Sequence, residues 1–188
     1  RVPGTGTGIV CLPADAPGDQ TPPARWFYGT KNGVFRSPVV CRDTVFAVDG
    51  VPGQTQRALH AIDASTGQLR WDSPIMDDAS GTLSCTEQTV FVQEEDGMLS
   101  CMDLTGRRLW SQAAGRLHRG PALSDSIVVA ASREPPRLIA LDGPTGRVLW
   151  RISLVQRPAT APHVHQDTIL LGTESGLQTR SLLDGSML

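Results

Sequence analysis

Lysine is almost missing from this chain of 188 residues: Lys31 is the sole lysine, and arginine carries nearly all the positive charge. With 17 basic and 19 acidic side chains the net charge is −2 and the pI near 6.1. That balance argues against a general nucleic-acid surface or a basic membrane patch. Asparagine is just as scarce, with Asn32 alone. No apolar run approaches the length of a membrane-spanning helix, so no membrane span is expected. No stretch keeps the period of three to four residues that a long amphipathic helix needs. Catalytic signatures are missing as well: there is no Gly-x-Ser-x-Gly elbow, no His-Glu-x-x-His and no Walker-type phosphate loop. What remains is a β-rich chain, 39% hydrophobic, with enough apolar residues for a core and no sign of an enzyme.

Metal and redox motifs are thin. Cys11, Cys41, Cys85 and Cys101 form no CxxC pair and no zinc spacing. Cys85 and Cys101 lie on separate strand segments of one unit, where they either pair or act as small buried apolar groups. His163 and His165 are the best metal candidate, because a strand places residues i and i+2 on one face. No third ligand is within local reach, so they read as structural or solvent-facing. His60 and His118 have no sequence partner. The run Glu94, Glu95, Asp96 reads as a solvated loop tip. Gly4-Thr-Gly6-Thr-Gly8 invites a phosphate-loop reading, yet Pro13, Pro17, Pro22 and Pro23 follow instead of a helix. Residues 1–24 are therefore expected to be a Pro/Gly-rich linker or the tail of a preceding segment.

What the chain does have is a repeat. Its tryptophans are Trp26, Trp71, Trp110 and Trp150, spaced by 45, 39 and 40 residues. Before Trp71 stands LHAIDASTGQLRW, before Trp150 LIALDGPTGRVLW, and before Trp110 LSCMDLTGRRLW, one residue shorter. The shared element is Ala-x-Asp-x-x-Thr-Gly-x-x-x-Trp. It comprises Ala61, Asp63, Thr66, Gly67 and Trp71, then Asp103, Thr105, Gly106 and Trp110 with Cys101 in the Ala place, then Ala140, Asp142, Thr145, Gly146 and Trp150. Each residue has a physical job: Gly takes the positive φ of a tight turn, Asp accepts backbone hydrogen bonds beside it, and Trp supplies a flat apolar plate. In the last unit Thr179, Ser181, Asp184 and Gly185 stand in the places of Ala, Asp, Thr and Gly.

Between each Trp and the next Asp comes a polar turn followed by a β-branched run, as in 41–48, 86–92, 124–129 and 165–171. Each unit thus offers four short strand candidates. The loop between the second and third varies most: Asp49 to Arg57, Glu94 to Gly97, Ser132 to Arg137 and Thr173 to Gly176. A period of about 40 residues is that of a propeller blade. The expected fold is an all-β propeller of four-stranded antiparallel blades, at about residues 25–70, 71–109, 110–149 and 150–188. By register, Leu188 precedes the place of a further tryptophan. Missing blades from the same longer chain are therefore expected, with the four present forming part of a larger disc; the alternative is a closed four-blade disc.

The repeated element resembles the tryptophan-docking motif of the pyrroloquinoline-quinone-like (PQQ-like) β-propeller repeat family, similar to outer-membrane barrel-assembly propeller lipoproteins and to quinoprotein propellers. The likeness covers about residues 25–188. It implies that the tryptophans stack blade on blade, in discs of typically six to eight blades, and that the motif is a structural girdle and not the quinone site. Quinone dehydrogenases of this family often carry adjacent cysteines, with Glu, Asn and Asp ligands for calcium. This chain has no adjacent cysteines and one asparagine. No cofactor, metal site or catalytic residue is therefore expected. The resemblance implies a non-catalytic scaffold or binding domain with protein partners at its blade loops. Its alternatives are a sensor or accessory propeller fused to an enzyme, such as a protein kinase or an adenylate-forming enzyme, and a fragment of a quinoprotein dehydrogenase. Family habit leans toward the periplasm or cell exterior.

Overall fold

A computed structural model of the chain describes residues 6–14, 23–34, 37–50, 57–75, 82–94, 97–117 and 119–188. Among them no α-helix occurs, and the strands are joined antiparallel throughout. The chain divides into two compact units, Arg1–Asp78 and Ala79–Leu188.

The first unit holds a strand pair and one complete blade. Strand β1 (Gly8–Cys11) pairs with β2 (Trp26–Gly29), and Cys11 stands opposite Trp26. The Pro/Gly-rich opening, read as linker or tail, therefore contributes a strand. The blade runs β3 (Val39–Cys41), β4 (Thr44–Asp49), β5 (Arg57–Asp63) and β6 (Leu69–Ile75), hydrogen-bonded in that order. Ile9 packs with Val45, Ala47 and Ile62 in a core that Trp26 and Tyr28 flank.

In the second unit, β7 (Leu83–Cys85), β8 (Thr89–Gln93), β9 (Met98–Asp103) and β10 (Arg108–Ala113) form one blade. After the short β11 (Arg116–Leu117), the next blade is β12 (Ala122–Ser124), β13 (Ile127–Glu134), β14 (Pro136–Asp142) and β15 (Val148–Ser153). Strands β16 (His163–His165), β17 (Thr168–Thr173) and β18 (Gly176–Ser181) form a three-stranded sheet.

Side-chain alternation explains why the middle strands are apolar on both faces. From the third blade, Val128, Ala130, Ile139 and Leu141 join Phe91, Leu99 and Cys101 of the second blade. Their neighbours Val129, Ala131, Leu138 and Ala140 face the other way, onto Ile169, Leu171 and Leu182. One blade thus closes two cores, and a polar residue at any of these positions would be buried without solvent.

Candidate functional site

The repeat residues come together at blade junctions. Trp26 Nε1 donates to the Ala64 carbonyl at 2.9 Å, Trp110 Nε1 to Gly143 at 2.7 Å and Trp150 Nε1 to Leu182 at 2.9 Å. Each indole lies over the motif glycine of the following sheet. A Cβ on Gly67 would fall 2.7 Å from the Trp26 ring, one on Gly146 2.5 Å from Trp110, and one on Gly185 2.9 Å from Trp150. Glycine is thus required there twice, by a positive φ of 71–75° and by the ring above. Trp71 packs its ring against Phe46 at 5.8 Å and 51°, as Trp110 does against Phe91.

The motif aspartates organise the turns that carry these glycines. Asp63 Oδ1 accepts from the amides of Ser65 and Thr66 and from both hydroxyls, at 2.6–3.0 Å. Asp103 accepts from Thr105 and the Arg107 amide in the same way, and Asp142 from Thr145. Hydrogen bonds from Ser65 and Arg70 hold the Asp63 carboxyl well below the usual carboxylate range, and the Thr105 hydroxyl first of all brings Asp103 down to about 2. The degenerate last copy folds alike: Gly185 N donates to the Ser181 carbonyl at 2.9 Å, as Gly67 N does to Asp63 at 2.8 Å.

Several expectations change on the structure. Cys101 keeps a free thiol, buried and pushed up to about 11 by desolvation, so it forms no bridge with Cys85. Glu94 is not a solvated tip. Its side chain is 4% exposed and accepts from Arg108 at 2.7 Å, because the hairpin folds it inward toward the bulky cation; Glu95 and Asp96 lie outside the described residues. The loop expected over Ser132–Arg137 shrinks to Pro135, since β13 and β14 extend to Glu134 and Pro136. His163 and His165 are both exposed on β16, and His118 lies outside the described residues.

Sequence reasoning also missed His60. Its Nδ1 is 3.1 Å from the Tyr28 hydroxyl, while Nε2 lies 3.3 Å from Asp49 Oδ2, off line for a hydrogen bond. Burial first, then Asp72 and Asp49, raise the Tyr28 hydroxyl above its ordinary range. The three residues tie β2 to β5 and β4, with His60 and Asp49 only 12% and 10% exposed. No sequence signal marks this contact, because it joins residues 32 apart across different sheets.

Two surfaces of the second unit are open. At one end, the loop after β15 is stitched to the β17–β18 turn: Pro158 bridges Thr173, Glu174 N donates to the Arg157 carbonyl at 3.3 Å, and Thr173 Oγ1 donates to Gln156 at 2.9 Å. These contacts hold out Val155, fully exposed, and Leu177, 72% exposed, beside the 3.0 Å Arg133–Glu174 ion pair. At the opposite strand ends, a cavity of about 500 Å³ opens between the second and third blades, with Phe91, Leu109, Leu123 and Ile127 in its walls.

The profile of the family described as outer membrane protein assembly factor BamB matches residues 20–116 and again 99–187. The chain belongs to this PQQ-like propeller family. No curated protein matches the sequence significantly. Among solved structures, BamB from Moraxella catarrhalis is similar at 16% identity and a TM-score of 0.60, covering 89% of this chain and 66% of that one. The computationally designed Ika4 protein is similar at 17% identity and a TM-score of 0.65, over 82% of this chain and 94% of that one. A europium-containing methanol dehydrogenase is similar at 14% identity and a TM-score of 0.65, over 83% of this chain and 40% of that one. At these identities the likeness concerns the fold. The PQQ-like chain thus spans less than two thirds of the natural propellers it resembles.

The resemblance to quinone dehydrogenases implies a metal ion held by carboxylates. Among the described residues, no three His, Cys, Asp or Glu side chains gather as a ligand set. The motif carboxylates are instead turned onto their own turns and arginines. The described residues do not fit that group.

Proposed function

We propose that this PQQ-like propeller is a non-catalytic scaffold that binds a protein partner through its blade loops. The observation that carries the reading is the pair Val155 and Leu177, held out on two stitched loops of a frame whose other branched residues are mostly packed. Exposed apolar side chains beside an Arg–Glu ion pair have the make-up of an interface centre with a polar rim. Anchors of this kind contribute more than the rim charges, which water screens.

The test places a photo-crosslinking residue at position 155, at 177 and, as a control, at Leu183, which is 85% exposed beside the Thr-Gly-type turn. The expected result in the native cell is one discrete protein adduct from 155 and 177, absent from 183, with the adduct at 177 lost in Val155→Asp. Equal adducts from all three positions refute the reading. So does a redox-active chromophore formed on adding pyrroloquinoline quinone and calcium, which would support the dehydrogenase alternative.

A further inference from the structure

The outer strand of each complete blade carries the same irregularity. In β6, Trp71 pairs with Ala61 but Leu69 with Ile62, so Arg70 is an extra, bulged residue. Leu109 in β10 and Leu149 in β15 are bulged at the same step. A bulge re-aims its side chain out of the alternation.

What stands at the bulge differs between blades. In the first blade Arg70 reaches the carboxylates of two turns, with NH2 2.6 Å from Asp43 Oδ2 and 2.6 Å from Asp63 Oδ2. In the second blade the bulge residue is Leu109, 39% exposed, and the 500 Å³ cavity opens beside it. Pockets of this size, roughly 300–1,000 Å³, accept a large side chain or a small ligand. Two of the turns that line it contribute Glu87 and Asp125, and no Lys, Arg or His is among the lining residues.

From this we infer that the groove between the second and third blades binds a short peptide segment in which an arginine adjoins a bulky apolar residue. The apolar side chain fills the space between Leu109, Phe91 and Leu123. The guanidinium takes the Asp125 side of the rim. Ser126 on the flanking turn offers a hydroxyl to a passing backbone, whereas the Thr86 hydroxyl is taken up within its own turn. The groove lies at the strand ends opposite Val155 and Leu177, so it is a second site, independent of the one proposed above.

The probe is a fluorescein-labelled peptide Ser-Arg-Leu-Arg-Ser, compared with Ser-Glu-Leu-Glu-Ser on the full chain at low salt by fluorescence anisotropy. The arginine peptide is expected to bind at least about tenfold more tightly, since charge complementarity selects against the wrong sign. Asp125→Asn weakens it by up to about fivefold, the worth of an exposed charge pair. Asparagine tolerates the left-handed φ of 42° at this position, so the turn is kept. Leu123→Trp, which fills the cavity, lowers the affinity for both peptides. Hydrogen exchange should slow at 86–89 and 123–128. Equal affinity for both peptides, no binding up to millimolar peptide, indifference to both variants, or protection confined to 155–158 and 173–177 each overturn the inference.

Discussion

Gly146→Ala isolates what the glycine under a tryptophan does. The backbone there sits at φ 71°, where an L side chain costs roughly 1–2 kcal/mol. The new Cβ falls 2.5 Å from Trp110 Cδ2 and 2.7 Å from Cγ, which is inside the repulsive wall, so the ring must lift. Lifting it breaks the 2.7 Å bond from Nε1 to the Gly143 carbonyl, worth about 0.5–1.5 kcal/mol. The substitution is therefore expected to destabilise by about 1.5–3.5 kcal/mol. With a urea slope of roughly 2 kcal/mol/M, the midpoint drops by roughly 1–2 M.

The two contributions separate in a Trp110→Ala background, where no ring remains to clash. There Gly146→Ala should cost only the backbone part, about 1–2 kcal/mol, leaving a coupling of about 0.5–1.5 kcal/mol between the two positions. Urea unfolding followed by far-ultraviolet circular dichroism reads all four proteins without depending on the deleted fluorophore. A coupling below about 0.3 kcal/mol, within the range of independent sites, would show that the ring does not press on Gly146 and would refute the reasoning.

Thiol chemistry checks the burial of Cys101. Its thiol is pushed up to about 11 and enclosed with Phe91, Leu99 and Ile139, whereas Cys11 is free and half-buried, so iodoacetamide at pH 8 should label Cys11 and leave Cys101 until urea unfolds the chain. Equal native labelling by mass spectrometry would contradict it. Acid tests the aspartate turns. Because Thr105 holds Asp103 down to about 2, its contribution is present above the unfolded carboxylate value of about 3.9 and is lost as pH falls toward 2. Wild-type unfolding free energy should therefore fall from pH 4 to pH 2, and Asp103→Asn should flatten that slope; an unchanged slope would remove Asp103 from the account.

How much was legible follows from what the repeat repeats. Trp110, Gly146 and Asp142 recur because each meets a geometric demand made at every blade junction, and a demand met three times is visible as spacing. The strand pair at the start was not legible, although its register is the same. Cys11 faces Trp26 as Cys101 faces Trp110 and Ala140 faces Trp150, but the turn between them is replaced by the long 12–25 stretch without Thr-Gly. The Tyr28–His60 contact and the inward turn of Glu94 were hidden for another reason. Both depend on one pair of residues that only the packed strands bring together, and a pair that occurs once leaves no periodicity to read.

The bulge position shows how one frame carries different surfaces. The register shift just before Trp71, Trp110 and Trp150 arises from the backbone, and Arg70, Leu109 and Leu149 occupy it without altering the pairing of each tryptophan with Ala61, Cys101 or Ala140. A residue there is free of the two demands that fix its neighbours, core burial and turn geometry. Selection at this position can therefore change surface chemistry at little cost to the fold. With arginine, the bulge sets a cation between Asp43 and Asp63. With Leu109, it leaves an apolar wall and an acidic rim. Leu109→Arg carries this argument to a measurable end: it should introduce a cation beside the groove, leave stability within about 1 kcal/mol as expected of a half-exposed charge, and abolish the preference for the arginine peptide. If the variant binds that peptide as before, the bulge does not govern the groove.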